Sequence, residues 1–101
     1  MSAIRDEIEE IMVDCYDEYE QMSAWGVAFS DGVHTPFRAS LLGMPVDVSA
    51  FRVNDANTVQ CQVKSAEKQR WIGIEDLEEE GLPADMQRLL TLYHAWLEGD
   101  Y

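Results

Sequence analysis

The side chains best suited to binding chemistry lie in one short acidic segment, residues 14 to 20, with the sequence DCYDEYE. Its four carboxylates belong to Asp14, Asp17, Glu18 and Glu20. Clustered oxygens suit a hard divalent cation such as calcium, which takes six to eight oxygen ligands. On a helix, like charges three or four residues apart repel each other weakly, and a bound cation would reverse the sign of that interaction.

The same segment has a plainer interpretation, because many acidic helix faces are only solvated. One helix face offers two or three oxygens and cannot surround an ion, so a loop must complete the shell. Asp31, with the carbonyls of residues 32 to 35, is the nearest such loop in sequence, but it lies two to three helical turns away. Neither 54–57 nor 30–32 continues into the pattern of an EF-hand loop, so a calcium site here would be of another kind.

Charge narrows the range of partners. The chain of 101 residues has 20 acids against 7 bases, a formal net charge of −13. Phosphate binding needs clustered Lys and Arg, so we expect no nucleic-acid partner, and an anionic membrane would also repel the chain. We expect cations and basic protein surfaces to be attracted instead. A hydrophobic content of 47% favours a folded domain over disorder.

Other compositional features predict a cytoplasmic protein. The first 14 residues lack a basic region and an unbroken apolar run, which disfavours a secretory signal. No apolar run approaches the ~20 residues that a membrane-spanning helix needs. Cys15 and Cys61 both fall on apolar-patterned positions, which predicts two buried thiols in a reducing compartment.

The elements that must position the acidic segment can be predicted from hydrophobic spacing. Apolar residues recur every three or four positions from Ile4 to Phe29, which predicts one long N-terminal helix. Ser2 is the expected N-cap, and the turn at 30–32 should end the helix. Asp14, Asp17, Glu18 and Gln21 would then share one polar helix face.

The rest of the chain predicts a small antiparallel sheet and a second helix. Alternating runs at 45–53, 58–64 and 69–74 are separated by turns at 54–57 and 65–68, and 37–42 could add a fourth strand. An apolar stripe from Leu82 to Leu97 predicts the C-terminal helix, with Gly99 ending it. The expected fold is α+β in a single domain over residues 1–101, with helices covering one face of a three- to four-stranded sheet.

The segment Ile11–Glu18, with Glu20, Trp25, Asp31 and Pro36-Phe37, resembles the opening of the CcbP-like family of calcium-binding proteins from cyanobacteria and other bacteria. The resemblance covers about residues 8 to 78. It implies a small acidic cytoplasmic protein that binds calcium without an EF-hand and acts as a calcium buffer or a regulator of calcium signalling. The matching acids, and hence the expected metal ligands, are Asp14, Asp17, Glu18, Glu20 and Asp31.

Other side chains offer little chemistry. His34 and His94 have no partner at zinc-ligand spacing, and the cysteines have no adjacent activating group, so we expect no enzyme. Two functions stay open: a calcium-binding protein, or an acidic interaction module that recognises a basic protein. Lys64, Lys68 and Arg70 form one basic patch, and its pairing with the acidic helix of a second copy would give a homodimer.

Overall fold

Four antiparallel strands and three α-helices make up the computed structural model, which describes residues 3 to 99. In chain order the elements are α1 Ala3–Ile11, α2 Glu18–Gly32, β1 Phe37–Leu41, β2 Met44–Val53, β3 Val59–Ser65, β4 Lys68–Gly73, a single 3-10 turn Ile74–Asp76, and α3 Ala84–Glu98. The predicted α+β class is confirmed, as is the meander, whose spatial order is β1-β2-β3-β4.

The sheet has one apolar and one polar face, because side chains alternate along each strand. Val48 pairs with Val63, and Phe51 pairs with Cys61, all on the face that the core covers. A bulge between Val48 and Ala50 shifts the register by one residue. The shift keeps Phe51 on the apolar face, where strict alternation from Val48 would have turned it to solvent.

The helices cover the apolar face as one layer, in which α2 packs on the sheet and α1 and α3 pack against the other helices. α2 crosses β2, and Phe29 contacts Phe51 with ring centroids 5.5 Å apart. α3 runs antiparallel to α2, since the backbone N–H of His34, just after α2, donates to Asp85 in the first turn of α3. Arg88 of α3 pairs with Glu7 of α1, so all three helices form one layer.

The prediction of a single N-terminal helix is wrong, because the chain leaves the helix after Ile11 and re-enters it at Glu18. Asp14 adopts a left-handed conformation with φ 61°, which an uninterrupted helix does not allow. Asp17 then caps α2 through its side chain. The predicted polar face shared by Asp14, Asp17, Glu18 and Gln21 therefore does not exist as a helix face.

The other boundaries agree closely with expectation. α2 ends at Gly32, within the predicted turn, and the optional strand at 37–42 is β1. Ile74 lies in the 3-10 turn and not in β4. Gly99 ends α3 with φ 70°, a left-handed conformation that glycine adopts without a Cβ penalty. The predicted N-cap Ser2 lies outside the described residues.

Within residues 3–99, no helix combines the length and the apolar character that crossing a bilayer would require.

The closest approach between α2 and the sheet gives a stability test. A Cβ added at Gly26 would lie 2.8 Å from Cγ2 of Val53, and a β-branched side chain has little freedom to rotate away. We expect Gly26→Ala to lower the free energy of unfolding by about 1–2 kcal/mol, because overpacking outweighs the better helix propensity of alanine. Urea denaturation measures the change.

The matched control is the double-mutant cycle with Val53→Ala. Removing the methyl group that clashes should make Gly26→Ala less costly in the Val53→Ala background than in the wild type. Equal costs in both backgrounds, or a wild-type chain that is no more stable than Gly26→Ala, would contradict the packing described here.

Candidate functional site

The acidic segment forms the loop between α1 and α2 and the first turn of α2. The backbone N–H of Cys15 donates to the carbonyl of Met12 at 3.1 Å, which turns the chain out of α1. Asp14 follows the turn in its left-handed conformation, and Glu18 begins α2. The loop thus places four carboxylates around one helix N-terminus, where the helix dipole favours negative charge.

Two of these carboxylates hold the loop in place. Oδ1 of Asp17 accepts a hydrogen bond from the backbone N–H of Glu20 at 2.7 Å, and Oε2 of Glu20 accepts from the backbone N–H of Tyr16 at 3.1 Å. This reciprocal arrangement resembles a capping box, with the glutamate bonded one residue earlier than usual. Each bond uses one oxygen of its carboxylate, so the cap occupies only part of the oxygen supply.

The structure does not bring all five predicted ligands together. Asp14 and Asp17 lie in the α1–α2 loop and Glu18 and Glu20 in the first turn of α2, but Asp31 occupies the last turn of α2. At the rise of an α-helix, Glu18 and Asp31 are about 20 Å apart along the axis, too far to share one ion. Across residues 3–99, no group of three or more His, Cys, Asp or Glu side chains has the arrangement of a metal centre, so the ligand set stays a prediction.

A cleft adjoins the acidic loop at the end of the sheet. It has a volume of about 250 Å³ and lies between the start of α2, with Tyr19 and Ser23, and the β2–β3 turn, with Asn54, Asp55 and Asn57. Oδ1 of Asn54 accepts from the backbone N–H of Thr58 at 2.9 Å, which fixes the turn. Asp55 is exposed, and it lines the same cleft as Tyr19, whereas Asp31 does not.

Sequence reasoning recognised 54–57 as a turn and did not connect it with the acidic segment. The local signal for the cap was present, since Asp17 and Glu20 have the spacing of a capping box. No local signal indicated that Asp55 lines the same cleft as Tyr19, because that arrangement depends on how α2 lies across the sheet.

The two cysteines differ in their surroundings, and neither is paired. Cys61 is fully buried in β3, and burial, with a smaller contribution from the charge of Asp76, raises the pKa of its thiol to about 12. Cys15 is only half-buried, contrary to prediction, and its Sγ lies 3.6 Å from the carbonyl oxygens of Val13 and Glu20. Neither contact activates a thiol, since a thiolate needs a nearby cation or N–H donor.

Both histidines lie beside carboxylates, in separate places. Nδ1 of His34 is 3.5 Å from Oδ2 of Asp85, and Nε2 of His94 is 3.2 Å from Oε1 of Glu75. The hydrogen bond from the His34 backbone N–H is the largest cause that lowers the pKa of Asp85. These contacts stabilise the ends of α3 and the turn after β4, and they assemble no zinc site.

The cap can be separated from a metal-binding role by two substitutions at one position. We expect Asp17→Ala to cost about 1 kcal/mol of unfolding free energy, and Asp17→Asn to cost much less, because asparagine caps nearly as well as aspartate. Urea denaturation in the presence of a chelator measures both. Equal losses for the two variants would contradict a capping role.

The thiols give a second test. A group with a raised pKa stays protonated until the pH approaches that value, so at pH ~8 Cys61 is a buried neutral thiol and does not react. We expect a disulfide reagent to modify one thiol rapidly in the native chain and two in denaturant. The Cys15→Ser variant should lose the rapid phase, and rapid modification of Cys61 would contradict its burial.

Comparisons with known proteins agree with this architecture. A sequence profile of the CcbP family, described as calcium binding, matches residues 6–97. The crystal structure of Anabaena CcbP superposes with a TM-score of 0.75 at 19% identity, covering 96% of this chain and 91% of that one. A calcium binding protein solved in its calcium-binding form gives the same TM-score and identity, covering 100% and 98%.

At this identity the two structures establish the shared fold alone, whereas the profile match spans nearly the whole chain. No curated protein matches the sequence significantly. On the profile match, the chain belongs to the CcbP family of calcium-binding proteins.

Proposed function

We propose that the protein binds calcium through a non-EF-hand site at the end of the molecule where the α1–α2 loop meets the β2–β3 turn, and that it acts as a calcium buffer or a regulator of calcium signalling. The observation that carries the proposal is the cleft that is lined both by Tyr19 of the acidic segment and by the exposed Asp55 of the turn at 54–57. The family and the calcium-binding form of the solved relative support the choice of ion.

Oxygen supply is the first requirement. Calcium takes six to eight oxygens from carboxylates, carbonyls, amides and water. Asp14 and Glu18 offer whole carboxylates, and Asp17 and Glu20 each keep one oxygen outside the cap. Asp55 would contribute from the opposite side of the cleft, and backbone carbonyls and water would complete the shell. Asp31 is the predicted ligand that this arrangement leaves out.

The net charge of the chain and the dipole of α2 have opposite effects on a bound cation. The net charge of −13 attracts any cation to the surface. The N-terminus of α2 carries a partial positive charge of about half a unit, which favours the carboxylates but repels an ion beside them. The balance favours a site of modest affinity in which several carboxylates must act together, and such affinity suits a regulator that releases its ion readily better than it suits a tight buffer.

An acidic interaction module is the second candidate, and a specific feature favours it. Val13, Tyr16 and Tyr19 are exposed within the same acidic loop. Exposed apolar patches mark interaction sites, and an acidic surface is complementary to a basic partner. Diffuse attraction of this kind weakens beyond a Debye length of about 8 Å at physiological salt, whereas a coordinated ion is held at contact distance.

Calcium titration of three variants tests the proposal. In ~0.15 M potassium chloride, with amide shifts followed by NMR and magnesium as the comparison ion, we expect saturable shifts in residues 14–20 and 54–57. Glu18→Gln and Asp55→Asn should each weaken calcium binding by about tenfold or more, equivalent to about 1.4 kcal/mol. Asp31→Asn is the matched control, because it removes the same unit of charge from the far end of α2.

The control decides between the two candidates. If Asp31→Asn weakens binding as much as Asp55→Asn does, or if calcium and magnesium cause equal shifts over every acidic surface, the ions are attracted only by net charge. That result would contradict a specific calcium site and favour the acidic interaction module.

A further inference from the structure

Exposed apolar side chains are concentrated at the two ends of the sheet. The acidic loop exposes 65% of Val13, 85% of Tyr16 and 72% of Tyr19. The β1–β2 turn and the start of β2 expose 90% of Leu42 and 59% of Met44. Contiguous exposed apolar surface on a small protein marks an interaction site more often than scattered single residues do.

At the Leu42 end, the apolar face of the sheet continues beyond the helices as an open groove. The groove has a volume of about 730 Å³, and Met44, Val46, Val63 and Ile72 form its apolar lining. Lys68 and Arg70 of β4 lie along it, because Arg70 pairs with Val63 and therefore shares the apolar face. Glu67 is the one acid among its lining residues.

The bases of the groove have no partner among residues 3–99, in contrast to most of the other bases. Arg5, Arg38 and Arg88 pair with carboxylates, and Arg52 lies over the ring of Trp71 at 4.2 Å. In residues 3–99, Lys64, Lys68 and Arg70 are the bases without an ion pair or ring contact. Two of the three lie in the groove, although the chain has nearly three acids for every base.

The acidic loop is the complement of the groove. The groove is apolar with two free cations, and residues 13 to 20 present three exposed apolar side chains beside four carboxylates. The loop cannot reach the groove of its own chain, however. The loop adjoins the β2–β3 turn, whereas the groove lies between the β1–β2 and β3–β4 turns, and in a meander these are opposite ends of the sheet.

We propose that the groove binds the acidic loop of a second copy of this chain. Tyr16 or Tyr19 enters the apolar groove, and Glu18 pairs with Lys68 or Arg70. Glu18 is the acid of α2's first turn that the cap does not use, so it can take a partner without weakening the helix. Two copies placed side by side and antiparallel would fill both grooves, which closes the assembly as a dimer.

Sedimentation equilibrium across a wide range of protein concentration tests the proposal, in ~0.15 M salt with a chelator present. The chelator keeps the result independent of whether the loop also binds calcium. We expect the wild type to form a reversible dimer and Arg70→Glu to weaken it by about tenfold or more, because like charges would then meet. Lys64→Glu is the matched control, because Lys64 lies on the polar face of β3.

Reversing the charge on both sides of the proposed contact, in the loop and in the groove, gives the decisive experiment. Glu18→Arg should weaken the dimer as Arg70→Glu does. An equal mixture of the two variants should restore a heterodimer, since one contact regains the natural charges and the other carries them reversed. Circular dichroism checks that each variant is folded. Tyr16→Ser should also weaken association without changing the net charge.

Three outcomes overturn the proposal. If the wild type stays monomeric at every concentration, a second copy does not occupy the groove. Equal weakening by Lys64→Glu and Arg70→Glu assigns the effect to overall charge. If Glu18→Arg and Arg70→Glu are both folded but their mixture does not associate, the loop does not bind the groove.

Discussion

The burial of Trp25 is the interaction on which the arrangement of the helices depends. Its ring is completely buried and lies 5.3 Å from Tyr93 and 5.7 Å from Trp96, measured between ring centroids. These contacts join α2 to α3, and Phe29, one turn further along α2, joins the helix to the sheet through Phe51. Among residues 3–99, no protein group accepts a hydrogen bond from the buried Nε1–H of Trp25, so the ring is held in place by its aromatic contacts.

The position of α2 determines what its two ends can do. Because its middle is held against the core, its N-terminus lies beside the β2–β3 turn and its C-terminus lies beside the first turn of α3. Glu18 and Asp31 are therefore rigidly separated. The start of α2 lines one cleft with the turn at 54–57, and Asp31 cannot reach that cleft without unfolding the helix that carries Trp25.

Local patterns predicted the strands, the C-terminal helix and the α+β class, because alternation and turn residues are sufficient signals for a meander. The same patterns wrongly predicted an unbroken helix between Ile11 and Glu18. Cys15, Tyr19 and Met22 continue the spacing of Ile8 and Ile11, so the apolar pattern runs through a break that the capping chemistry of Asp17 creates. Tyr19 consequently faces solvent, where the stripe placed it in the core. The bulge after Val48 and the nearness of Asp55 to the acidic loop are tertiary features, and no periodicity in a single strand or helix contains them.

The same capping chemistry constrains how the loop can bind an ion. Asp17 and Glu20 must each keep one oxygen as a hydrogen-bond acceptor for α2 to begin where it does. A cation that drew both oxygens of either carboxylate would release a backbone N–H at the helix start, and the loss of the cap would offset part of the binding energy. A cation that takes one oxygen from each would add to the cap, because the carboxylates would then be held from both sides. At the proposed site, binding would therefore be monodentate at Asp17 and Glu20, and the remaining ligands would come from groups outside the cap, namely Asp14, Glu18 and the turn that contains Asp55. On this argument the loop alone would be an incomplete site, and its affinity would depend on the distance to the β2–β3 turn, which the packing of Trp25 sets.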